Sequence, residues 1–161
     1  MDIYDYLRRD HRQVADLIDQ VLTINIQSVQ QRIFEDIKAE LSLHAEAEER
    51  TFYAALVEAV AGAGTGQDWQ IGHSVHDHDE IRVFLDQLTK EGLQSPKWML
   101  IFGELKHAVE HHVDEEEGHV FELARKLIPY ARAEQLAEDM DALKTKLKAE
   151  RGIRTDHVAD A

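Results

Sequence analysis

Two stretches of this sequence occur twice. Asp10-His11-x-x-Val14-x-x-Leu17-Ile18-Asp19-Gln20-Val21 returns 67 residues later as Asp77-His78-x-x-Ile81-x-x-Phe84-Leu85-Asp86-Gln87-Leu88. At an offset of 68, His44-Ala-Glu-Ala-Glu48-Glu49 with Tyr53 returns as His112-Val-Asp-Glu-Glu116-Glu117 with Phe121. Within each copy apolar residues recur at steps of three and four, which is one face of a helix. A duplicated pair of helices cannot bury both faces alone, so two copies are expected to stack into one bundle.

The spacing extends beyond the repeats. Ile3, Leu7, His11, Val14, Ile18 and Val21 form the first stripe, and Asn25 with its neighbours breaks it. Ser28 can cap a second helix carrying Val29, Ile33, Ile37, Leu41, His44, Glu48, Phe52 and Ala55, ended near Ala61 by the loop signal AGAGTGQ. Asp68 can cap a third helix with Ile71, Val75, His78, Ile81, Leu85 and Leu88, ended by Gly92 in a left-handed conformation. Ser95-Pro96 reads as a cap followed by proline at the first helical position. The fourth stripe is Ile101, Leu105, Val109, His112, Glu116, Leu123 and Leu127. The expected fold is therefore all-α, an antiparallel up-down-up-down four-helix bundle over residues 1–128. A short fifth helix over 129–151 is expected to pack across one end, followed by a flexible tail over 152–161.

Composition narrows the function classes. Lys plus Arg is 18 against 32 Asp plus Glu, a net charge of −14, which argues against nucleic acid and anionic membrane surfaces as partners. There are no cysteines, so disulfides, thiolate metal sites and Cys nucleophiles are excluded. No apolar run approaches the roughly 18 residues of a membrane span, and the N-terminus is too charged for a signal peptide. The expectation is a cytoplasmic protein.

Ten histidines in so acidic a chain are the oddity, and every stripe above is interrupted near its middle by one. An unpaired buried carboxylate costs several kcal/mol or stays protonated, whereas a shared cation removes the penalty. Chance alone supplies about one His-x-x-x-Glu pair in a chain of this content, and four are present, at His44/Glu48, His76/Glu80, His111/Glu115 and His112/Glu116. The repeat and the apolar stripe both select the first and last. Residues four apart reach a common point on a helix, so His11, His44, His78 and His112 with Glu48 and Glu116 are expected at the bundle centre. Six such ligands suit two metal ions with the glutamates bridging. Imidazole with carboxylate favours iron, and manganese or zinc fit the same ligand types.

The order His11, His44-x-x-x-Glu48, His78, His112-x-x-x-Glu116 resembles the hemerythrin-like family, the HHE cation-binding domain, over about residues 1–128. The resemblance implies a four-helix bundle holding a non-haem di-iron centre, with the four histidines as terminal ligands and Glu48 and Glu116 as bridges. Open coordination positions on such ions would admit a small ligand such as dioxygen, peroxide or nitric oxide. Oxygen-carrying hemerythrins use a His-x-x-x-His pair on the third helix, where Ser74 stands here, and an aspartate at the position of Glu117. One imidazole fewer argues against reversible oxygen carriage. Iron–sulfur repair proteins share the pattern but carry a cysteine-bearing N-terminal segment, so that likeness is expected to be partial.

The remaining polar residues have plainer readings. Glu46, Glu49, Glu115 and Glu117 are expected to face water or outer groups. His73, His76, His107 and His111 are expected on exposed faces, with His107 and His111 at most binding a stray surface cation. His119, seven residues after His112, shares its face and is a candidate outer donor or extra ligand. Tyr53 and Phe121 read as core aromatics. Leu136, Met140, Leu143 and Leu147 form a stripe on the fifth helix that could serve a partner or a homodimer. Three functions compete: a di-iron protein handling a small oxidant, with weak peroxide breakdown as its enzymatic form; a metal store; and a helical interaction module with a structural metal.

Overall fold

The structure, a computed structural model, describes residues 1–153, which form helices joined by short loops and turns. In order these are α1 (Ile3–Thr23), α2 (Gln27–Glu48), α3 (Ala54–Ala63), α4 (Asp68–Glu91), α5 (Trp98–Glu115), α6 (Phe121–Leu127) and α7 (Tyr130–Arg151). A π-helical turn, Glu49–Tyr53, joins α2 to α3 without a break, and a second, Glu116–Val120, joins α5 to α6. Four long rods result, packed as the expected bundle, with α1 against α2 and α4 against α5. The expected tail falls, beyond Ile153, outside the described residues.

Three expected caps sit elsewhere. Asp2 caps α1 by accepting from the Asp5 amide at 2.9 Å. Ile26, not Ser28, precedes α2, and no side chain caps it. The turn is tied instead by Gln30, whose amide donates to the carbonyls of Val21 and Ile24 at 3.0 and 2.7 Å. Asp68 is the first residue inside α4 rather than its cap. Ser95-Pro96 forms a turn ahead of α5, the Ser95 hydroxyl accepting from the Lys97 amide and its carbonyl from Trp98. That extra turn seats the Trp98 indole against Phe34 and Phe102, with its N–H donating to Leu88. Gly92 closes α4 at φ 78°, a glycine conformation, but ψ 144° leads into extended chain rather than left-handed helix.

The apolar interior forms two clusters. One gathers Ile3, Leu7, Phe52, Leu56, Ile71, Phe121 and Leu123. The other gathers Val14, Ile18, Phe34, Ile37, Leu85, Trp98, Phe102 and Leu105. The histidines and glutamates singled out above lie on the rods between these clusters. The fifth helix fills the expected span, as α7 of 22 residues, but packs against α1 and α2 rather than across one end. Leu136, Met140 and Leu147 are buried, and Leu143 packs beside them. That stripe is therefore spent inside the chain and is not an open face for a second copy. Polar contacts continue along it, with Tyr6 donating to Asp141 at 3.0 Å, Lys144 to Asp10 at 2.8 Å, and Arg151 paired with Glu46. No helix is long and apolar enough to cross a membrane among the described residues.

Candidate metal centre

Each hairpin brings one histidine on its first helix and a His-x-x-x-Glu on its second to the same level. All six side chains are buried, and Glu48 and Glu116 are fully so. His11, His44, Glu48 and Glu116 form one group, and Glu48, His78, His112 and Glu116 form another, each with ligand atoms within 4.8 Å of one another. Both glutamates belong to both groups. His11 Nε2 lies 3.1 Å from Glu116 Oε1, and His78 Nε2 lies 3.0 Å from Glu48 Oε1. His44 and His112 reach the glutamate of their own helix at 3.6 and 3.5 Å. Groups bound at about 2.1 Å to one ion sit about 3 to 4 Å apart, so these spacings suit cations.

The polar atoms carry the same message. His11 Nε2, His44 Nε2, both Glu48 carboxylate oxygens and Glu116 Oε1 are buried without a hydrogen-bond partner. Unsatisfied buried groups are rare and call for an ion or water. Gathered from three of the four rods, they fit a metal cation.

An outer ring of acids aims the imidazoles inward. His11 Nδ1 meets Glu117 at 2.7 Å, His78 Nδ1 meets Glu49 at 2.7 Å, and His44 Nδ1 meets Asp10 at 2.9 Å. His112 Nδ1 faces Asp77 at 3.7 Å, a looser version of the same contact. A carboxylate on Nδ1 fixes the tautomer that presents Nε2 to a metal. The repeat organises this ring too. Asp10 and Asp77 precede the first-helix histidines and hold the second-helix ones, while Glu49 and Glu117 cross to the opposite hairpin. Arg8 backs Glu117 at 3.5 Å, Arg82 backs Glu49 at 2.9 Å, and buried Lys144 backs Asp10.

Electrostatics in the cation-free site follow from this geometry. Burial opposes protonation of His11, yet Glu116 and Glu117 prevail and push its pKa up to about 10. His78, likewise opposed by burial, is pushed up to about 9 by Glu48 and Glu49. Burial also works against the Asp10 carboxylate, but His44 and Lys144 hold its pKa far below the ordinary value. Protons thus occupy the place of cations, and metal binding must displace them.

The aromatics are more than packing. Tyr53 stacks on His78 at 5.5 Å and donates its hydroxyl to Glu116 Oε2. Burial, then the charges of Glu116 and Glu48, raise its pKa well above 10, so it keeps its proton. Ser74 is buried on α4. On the other side of the four imidazoles a pocket of about 20 Å³ is walled by Val14, Leu41, Ile81, Leu85 and Val109. That is room for about one water-sized molecule.

Several side chains fall outside. His119 is exposed and pairs with Glu115 at 3.1 Å, because the π turn adds a residue between it and His112 and swings it off the face. His73, His76, His107 and His111 are exposed, as expected. Glu49 and Glu117, expected at water or outer groups, meet the Nδ1 atoms of His78 and His11. Asp10, Asp77, Tyr53 and Lys144 were not anticipated in these roles. The first two and both glutamates already stood in the repeat, which was the available signal.

Comparison with known proteins agrees with the architecture. The hemerythrin HHE cation-binding domain matches residues 2–124. A crystal structure of a hemerythrin HHE cation-binding domain-containing protein from Mycobacterium kansasii superposes with a TM-score of 0.78. That pair is 21% identical and covers 96% of both chains, which shows a shared fold. A protein named DNA nickase from Nostoc sp. is 28% identical over 152 residues, 94% of this chain but 42% of that relative. The chain thus spans less than half of the Nostoc protein. With a family match running from the first turn of α1 into α6, the chain belongs to the hemerythrin HHE cation-binding domain family.

Proposed function

We propose that this is a non-haem di-iron protein that binds, senses or breaks down a small oxidant, with His11, His44, His78 and His112 as terminal ligands and Glu48 and Glu116 as bridges. The observation that carries the reading is that two four-residue groups share both glutamates. A structural ion needs fewer ligands than six, and a store would hold the same ions without turnover. Iron suits the mixed imidazole and carboxylate donors, as manganese and zinc do less distinctively. When bound, an iron pair supplies redox equivalents and open coordination positions for a small ligand.

The chain's own residues account for the rest. The pocket beside the imidazoles limits access to molecules about the size of dioxygen, hydrogen peroxide or nitric oxide. Val14, Leu41, Ile81, Leu85 and Val109 make much of its wall apolar. Tyr53 holds a proton at its hydroxyl against Glu116 and so steadies that carboxylate. The nicking activity in the Nostoc relative's name is not carried over, because a net charge of −14 offers no footprint for DNA phosphates.

Protein produced with ample iron is expected to hold two irons per chain, absorb in the near ultraviolet, change colour with azide and consume peroxide. Glu48→Ala combined with Glu116→Ala is expected to abolish all four signals. Iron-free protein from iron-replete cells overturns the reading, and bound iron without peroxide consumption or a ligand-induced spectrum favours storage.

A further inference from the structure

The two halves of the bundle match at the centre and differ just outside it. In the first half, Asp10 holds His44 and is itself neutralised by buried Lys144 from α7. In the second half its counterpart is Asp77, which faces His112. No ion pair of Asp77 with a lysine or arginine occurs among the described residues, and α7, which supplies Lys144, packs on α1 and α2. Yet Asp77 is only 7% exposed, and its Oδ2, buried without a hydrogen bond, has only the His112 ring at 3.7 Å, while Oδ1 turns to His73. A buried carboxylate in this position needs a positive charge.

The sequence differs at the same place. Tyr6 and Leu43, the repeat counterparts of His73 and His111, are buried beneath α7 in the first half. In the second half both imidazoles stand exposed over Asp77, with His73 Nε2 4.0 Å from Asp77 Oδ1. His73, Asp77 and His111 offer ligand atoms within 4.8 Å of one another. They border an open groove of about 380 Å³ that His76, Glu80 and His107 also line.

We infer that His73, Asp77 and His111 form an outer site for a divalent first-row transition metal ion, taking the place that Lys144 holds in the other half. Asp77 is fixed by its burial, and the two exposed imidazoles need only rotate to close to about 2.0–2.2 Å of a shared ion. Two imidazoles and a carboxylate leave further positions to water, which suits zinc, cobalt or ferrous iron. The ion would sit one carboxylate away from His112.

Zinc retained per chain after equilibration at micromolar free zinc tests this, with the full-length wild type, H73A/H111A and H119A compared. The expected result is one equivalent fewer in H73A/H111A than in wild type, with H119A unchanged. Equal counts in wild type and H73A/H111A, or the same loss in H119A, overturn the assignment. The difference between variants does not depend on how many ions the inner centre takes, so failure of the di-iron reading remains distinguishable. His73 and His111 are exposed, and matching circular dichroism checks that the variant is folded.

Discussion

Tyr53 shows how a single side chain can be read two ways. As a core aromatic it packs against Phe52, and as a phenol it satisfies an oxygen of a fully buried carboxylate. Tyr53→Phe keeps the packing and orphans Glu116 Oε2, a loss of about 1–3 kcal/mol where nothing replaces the bond. Thermal melts are therefore expected to show a larger drop for Tyr53→Phe in metal-free protein than in metal-loaded protein, where a cation also meets Glu116. An equal drop in both would mean that bound metal does not take over the hydroxyl's role at Glu116. The six inward residues were legible because two independent patterns, repeat and stripe, chose them. Glu49 and Glu117 were in the repeat as well, but a carboxylate in an acidic run gives no sign of which imidazole it will meet across the bundle.

Among the helices, the π turns were the hidden feature. A regular stripe carries Glu48 and Phe52 on to Ala55, whereas the structure buries Leu56 and leaves Ala55 half-exposed. One added residue shifts the register, and periodicity read at 3.6 residues per turn cannot register it in advance. Thr51 stabilises the first of these turns by donating to the Ala47 carbonyl at 2.7 Å. The fifth helix was underestimated for a related reason: its polarity hid Lys144, a charge spent on Asp10 rather than on water. Lys144→Met would strand Asp10, and breaking one side of a buried pair costs about 3–5 kcal/mol. Because Asp10 also orients His44, metal affinity is expected to fall about 10- to 100-fold. Chelator competition alongside thermal melts checks both; an unchanged affinity with a lowered Tm would confine Lys144 to folding.

Across the whole molecule, stability and metal content are linked through protons. His11 and His78 carry pKa values of about 10 and about 9 in the cation-free fold, against 6.5 for an ordinary histidine. Groups whose folded pKa is raised stabilise fully below about pH 6.5, and that contribution is lost as pH rises through 9 and 10. Metal-free protein is thus expected to melt at progressively lower temperature from pH 6.5 to pH 10. Metal-loaded protein should lack that slope, because deprotonated imidazoles bind better. Melting curves of both forms across this range decide it, and parallel slopes would show that the imidazoles do not control stability. The general architecture was legible from duplication alone, while the side on which α7 lies was not. Finally, the two oily masses of this bundle are divided by a charged waist. Such a body has two regions able to open separately and one girdle that can fasten them. Filling that girdle with cations would make the molecule melt as one piece, so the ions would also set how cooperatively the chain holds together.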